Sequence, residues 1–138
     1  MPAQPWGFGA VGDSAWRHLP EAREEIKDLV CTELQRAIDE DRTPEPVEQH
    51  EYVLHAVGPL VRELGLVELD RDLVLRFCLF CRDLLSYTGP DEYEVSHALG
   101  MYALDGLDGP PVVRVIRQVD PGLIDLVRAR YPGMWTEE

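Results

Sequence analysis

Three groupings in this 138-residue chain have the residue types and spacing for chemistry. Cys78-Leu79-Phe80-Cys81 has the two-residue gap of redox and zinc motifs. A four-thiolate zinc site needs a second pair, and the remaining cysteine is the lone Cys31. A redox pair opens a helix after a strand, where the helix dipole lowers the thiol pKa. Here Phe77, Leu79 and Phe80 surround the pair mid-helix, so it reads as core. His50-Glu51-Tyr52-Val53-Leu54-His55 resembles the zincin signature, but that motif separates its histidines by four residues. At a separation of five, the second ring turns by roughly 140° from the first, which keeps one metal from using both. Glu94-Val95-Ser96-His97 fits the Glu-x-x-His pattern of di-iron bundles, an architecture that needs a second copy and two further Glu. No second copy occurs.

Nucleophilic chemistry finds no support either. The chain has no Gly-x-Ser-x-Gly, phosphate-binding glycine loop or dinucleotide fingerprint. Ser86, Ser96 and Thr32 read as helix-end or helix-face residues. The sequence therefore leads to no catalytic residue, no metal and no cofactor, and favours a non-enzyme. The competing expectation is a small helical enzyme or metal protein in which the fold brings His55, Glu94 and His97 together.

The elements that would position these groups are helices. Residues 1–19, rich in Pro, Gly and Trp, read as an irregular arm, which Trp6, Phe8 and Trp16 could pin to the domain of residues 20–138. From Pro20, with Glu21, Glu24 and Glu25 in the first turns, Ile26, Leu29, Val30, Leu34, Ala37 and Ile38 recur at helical spacing. Pro44 and Pro46 break this helix. A second runs from about Val47 to Leu64, with a kink or break expected at Gly58-Pro59 and a cap at Gly65. Asp70 caps a third helix, whose Leu73, Phe77, Phe80, Cys81, Leu84 and Leu85 form the most apolar stripe and mark the centre of the fold. A fourth spans Asp91 to Leu104. Val112-Val113-Arg114-Val115-Ile116-Arg117 has β-branched residues but no strand nearby to pair with, and reads as helix. Asp120-Pro121 opens the last helix, and Met134-Trp135 folds back on the core. The class is all-α: a single domain of five or six stacked antiparallel helices, possible as a short superhelix.

Charge narrows the partners. Thirteen basic residues against 26 acidic ones give a net charge of −13. That excludes sequence-independent binding to nucleic acid or to anionic membranes, since both rest on Lys and Arg neutralising phosphate. The charge is uneven: residues 109–138 are neutral, residues 21–51 hold eleven acids against four bases, and residues 91–108 hold five acids and no base. A basic protein partner is the expected complement, steered by Glu24, Asp28, Glu33, Asp39, Glu40, Asp41, Asp91, Glu92, Glu94, Asp105 and Asp108. The start of the chain has no basic, apolar signal pattern, no stretch reaches the ~18 apolar residues of a span, and three cysteines cannot all pair. A reduced cytoplasmic setting is expected.

Two resemblances add to this reading. Residues 90–107, Pro-Asp-Glu-Tyr-Glu-Val-Ser-His-Ala-Leu-Gly-Met-Tyr-Ala-Leu-Asp-Gly-Leu, look like one unit of a HEAT-type repeat, an acidic loop followed by Val, Ala and Leu packing toward the next helix pair. More widely, the chain resembles short, acidic, all-helical bacterial proteins regarded as immunity-like partners of polymorphic toxins. The likeness spans about residues 19–130. It rests on Leu19-Pro20-Glu21-Ala22-Arg23-Glu24-Glu25, on His55-Ala56-Val57-Gly58-Pro59-Leu60-Val61 and on the aromatic–acidic helix from Arg76 to Leu85. It continues through the Glu94-Val95 helix and Val119-Asp120-Pro121-Gly122-Leu123. The chain departs from that pattern at Asp105, where Glu is expected, and in its Trp-rich start. The resemblance implies a helical inhibitor or adaptor and supplies no catalytic residue. A third expectation is a regulatory or structural homo-oligomer, joined through aromatics near Trp6, Trp16 and Trp135.

Overall fold

A computed structural model describes residues 8–66, 70–104 and 110–135. Seven helices and no strand occur among them. They are α1 (Gly9–His18), α2 (Arg23–Asp39), α3 (residues 49–66), α4 (Arg71–Leu85), α5 (Glu92–Tyr102), α6 (Pro110–Val119) and α7 (Pro121–Arg130). The all-α expectation holds, and residues 112–117 lie within α6. The count exceeds the expected five or six.

The excess comes from the start of the chain. Gly9–His18 is helical, not part of an irregular arm, and its Val11 and Ala15 are fully buried. Composition misled here because α1 begins where no ordinary cap exists. Gly9 has φ +78°, a conformation glycine adopts without strain, and the cap is supplied from 40 residues away. The Gln49 amide accepts from the Val11 N–H at 2.7 Å and donates to the Phe8 carbonyl at 3.1 Å. Phe8 packs on Trp16 and edge-on against Tyr52, with ring centroids 5.3 and 6.2 Å apart, so two of the three pinning aromatics act as expected. Trp6 lies outside the described residues.

α4 is the hub. The Asp70 carboxylate accepts from the N–H groups of Asp72 and Leu73, the expected cap. Eight of its residues are buried, Phe77 and Phe80 completely, each ring contributing about 1.5–3 kcal/mol. Around α4 lie α1, α5, α6 and α7. Gly100 of α5 lets that helix sit against the Tyr131 ring, because a Cβ there would fall 2.6 Å from it. Trp135 folds back and is buried, as expected, with its carbonyl held by Arg128.

α3 does not break at Gly58-Pro59. It opens instead into a π turn over Val53–Val57 and continues as Gly58–Leu66. Pro59 offers no N–H to the His55 carbonyl and its ring crowds that group, so the wider turn absorbs the mismatch. Gly65 is inside the helix rather than at its cap. α2 departs furthest from its periodicity: only Ile26 and Ala37 are buried, whereas Leu34 is 37% and Ile38 72% exposed. The apolar stripe exists, but in its C-terminal half only Ala37 is covered, while Leu34 and Ile38 are not.

Candidate functional site

The Cys78-Leu79-Phe80-Cys81 pair belongs to the core. Cys78 and Cys81 are completely buried on α4, and burial pushes the Cys78 thiol up to about 12 and the Cys81 thiol far above its usual value. Cys31 is exposed.

A serine, a histidine and an aspartate do meet, between α1 and α4. Ser14 Oγ donates to Asp83 Oδ2 at 2.7 Å, His18 Nε2 lies 3.1 Å from the same oxygen, and Arg17 donates to it at 3.3 Å. In a nucleophilic triad the imidazole stands between hydroxyl and carboxylate. Here the carboxylate stands between the other two, so the hydroxyl has no base and the trio fastens α1 to α4. Arg76 reinforces the same seam with two bonds to Glu21 and one to the His18 carbonyl.

A groove of about 590 Å³ lies between α2, the Pro44–Glu48 connection and the start of α3. Its walls carry six carboxylates, Glu25, Asp28, Glu33, Glu45, Glu48 and Glu51, against Arg36 and His55. Local folding explains the shape. Glu33 reaches off α2 to Arg42, 2.7 Å from its Nη1, and accepts the Glu45 N–H at 2.9 Å, which draws the connection back along the helix. These donors hold the Glu33 carboxyl at about 2, first through the Arg42 hydrogen bond, and raise the Arg42 pKa in turn.

The sequence-expected partner residues divide accordingly. Asp28 and Glu33 line the groove, though Glu33 is engaged in shaping it. Glu24, on α2, pairs with Lys27 at 2.9 Å. Asp39 accepts from Gln35, Glu40 pairs with Arg42, and Asp41 sits past the end of α2 in the left-handed region, φ +55°. Asp91 accepts from the Tyr87 hydroxyl, whose pKa is thereby raised to about 12. Glu92 and Glu94 are exposed in the first turn of α5. Asp105 and Asp108 lie outside the described residues.

His55, Glu94 and His97 do not form a ligand cluster. His55 lies on the groove wall, 3.3 Å from Glu51, while His97 stacks on Tyr93 beside a different hollow with Gly100, Met101, Tyr131 and Met134. Glu94 meets other residues instead. One ligand atom each of Glu48, His50 and Glu94 lies within 4.8 Å of the others, the only such three-residue group among the described residues. Glu51 joins His50 to His55: its two oxygens lie 3.2 and 3.3 Å from the two imidazoles. Sequence reasoning weighed His50 and Glu51 only together with His55 and missed Glu48; the signal was Glu48-x-His50-Glu51 at a helix start. Of the aromatics expected to join two copies, Trp135 is buried within its own chain and Trp16 is half-buried, with Phe8 against it and the Arg23 guanidinium 5.0 Å from its ring. No helix among the described residues is long and apolar enough to cross a membrane.

Compared with known proteins, the chain matches no family model, and no curated protein or solved structure gives a significant match.

Proposed function

We propose that the protein is a non-enzymatic binding module that captures a basic protein, in the manner of an immunity protein that blocks a cationic toxin or nuclease sterically. The groove between α2 and α3 carries this reading: six carboxylates face one arginine in a space large enough for several side chains. Glu94 extends the same negative surface, because it meets Glu48 on the groove rim. Beside the groove, exposed Leu34 and Ile38 offer an apolar strip to the same partner. The partner surface complementary to both is a Lys/Arg-rich segment with apolar residues along one side. On this reading the helices stack as a short HEAT-like array, and the chain works in the cytoplasm.

The test is crosslinked pull-down from the native host, followed by affinity measurements on the recovered protein at about 50 and 300 mM salt. Glu25→Lys, Asp28→Lys and Glu45→Lys reverse groove charges that make no ion pair among the described residues, so the fold is retained. The triple variant should bind at least ten-fold more weakly and with a flatter salt dependence. A captured protein without a basic face, or an unchanged affinity, overturns the proposal.

A further inference from the structure

We propose that Glu48, His50 and Glu94 form a binding site for a divalent transition-metal ion, Zn2+ foremost. Two observations beyond the presence of acids carry this. The three donors come from two elements, Glu48 and His50 from the start of α3 and Glu94 from the first turn of α5, yet their ligand atoms lie within 4.8 Å of one another. The imidazole is also already oriented. Glu51 Oε2 lies 3.2 Å from His50 Nε2, which leaves Nδ1, on the Glu48 side at 3.3 Å, as the coordinating nitrogen. Metal-bound histidines are held in this way, with the second ring nitrogen donating to a carboxylate.

The donor set selects the ion. One imidazole nitrogen with two carboxylate oxygens suits Zn2+ or a neighbouring first-row ion; Mg2+ and Ca2+ favour all-oxygen sets. Three protein ligands leave a coordination position for water or for a donor from outside. The charge also calls for a cation: Glu48, Glu51 and Glu94 surround His50, and none of the three pairs with Lys or Arg among the described residues. A metal ion would sit between His50 Nδ1 and the Glu48 and Glu94 carboxylates, and would tie α3 to α5. The site stands apart from the partner reading, since it requires no second protein.

The experiment is calorimetric titration of the full chain with Zn2+, and with Mg2+ as comparison, alongside melting curves with and without Zn2+. The expected result is one Zn2+ per chain at this site, a rise in melting temperature, and binding to Mg2+ weaker by at least ten-fold. His50→Gln and Glu94→Gln should each weaken Zn2+ binding by ten-fold or more. Glu51→Gln should weaken it by about 10- to 100-fold through loss of the orienting bond. His97→Gln, at a residue that lines the hollow with Met101 and Tyr131 and is outside the three-residue group, should bind as the parent does. Retained Zn2+ affinity in a folded His50→Gln protein overturns the proposal, as does a loss produced by His97→Gln or the absence of saturable 1:1 binding.

Discussion

Arg82 and Asp120 face each other in a two-pronged ion pair, Nε to Oδ2 at 2.7 Å and Nη2 to Oδ1 at 2.8 Å. Arg82 belongs to the central helix α4, and Asp120 is the residue before α7. The pair therefore fixes where the chain turns from α6 into α7. The arginine holds the Asp120 carboxyl below its ordinary value.

Asp120→Ala should lower unfolding stability by about 1–3 kcal/mol, because it leaves a partly covered guanidinium without its partner. Arg82→Lys should recover only part of the parent's stability, since an ammonium cannot match both carboxylate oxygens in one plane. Urea unfolding of the three proteins at pH 7 gives the comparison, and equal midpoints for parent and Asp120→Ala would show the pair to be idle.

The Gly9–Gln49 contact predicts a specific non-additivity. A Cβ on Gly9 would lie 2.4 Å from Gln49 Nε2, and φ +78° strains any side chain there. Gly9→Ala should cost about 1–3 kcal/mol. Gln49→Ala should cost a similar amount, by stranding the buried Val11 N–H. The double variant should cost less than the sum, because removing the amide removes the clash while leaving the φ strain. Strict additivity in a double-mutant cycle would show that the two residues do not touch.

These two contacts show where sequence reasoning reached its end. The α4 stripe, its Asp70 cap and the fold-back of Trp135 were legible because each follows from nearby residues. The α1 helix was not, since its cap is the side chain of Gln49, brought near by tertiary folding. α2 was read correctly as a helix with one apolar face, but how far that face is covered was not legible: periodicity reports which residues share a face, not whether another helix arrives to bury it. The groove was half legible. Charge density in residues 21–51 announced it, but the pairing of Glu33 with Arg42 and the meeting of Glu94 with His50 depend on a chain reversal that no local pattern encodes.

Thiol reactivity should split one to two. Cys31 is exposed on α2, while Cys78 and Cys81 are buried in α4 with raised pKa values, so few thiolates form and reagent cannot reach them. A chromogenic disulfide reagent at pH 8 should titrate one thiol rapidly in the native protein and all three in denaturant. Cys31→Ser should abolish the rapid phase; three rapid thiols in the native parent would contradict the buried α4 face.

Acid should loosen the groove wall before the core gives way. Glu33 is held at about 2 rather than its usual 4.5, so its ionised form is bound more firmly in the folded chain than in the unfolded one. A lowered carboxylate contributes stability that is fully present above the unfolded value and disappears as pH falls through the folded one. Its window is therefore roughly pH 4.5 down to 2. Glu21 and Asp120, lowered by Arg76 and Arg82, act in the same direction. Asp13, raised mainly by burial, acts in the opposite one, favouring the folded state at lower pH. Glu33→Gln should melt at a lower temperature than the parent at pH 7, and the two melting curves should converge as pH drops from about 4.5 toward 2. Both follow from losing the Arg42 partner, which is the same contact that draws Glu45 to the groove. A constant gap between the two proteins across that range would mean that Glu33 contributes through packing, and that the groove wall is not held by its charge.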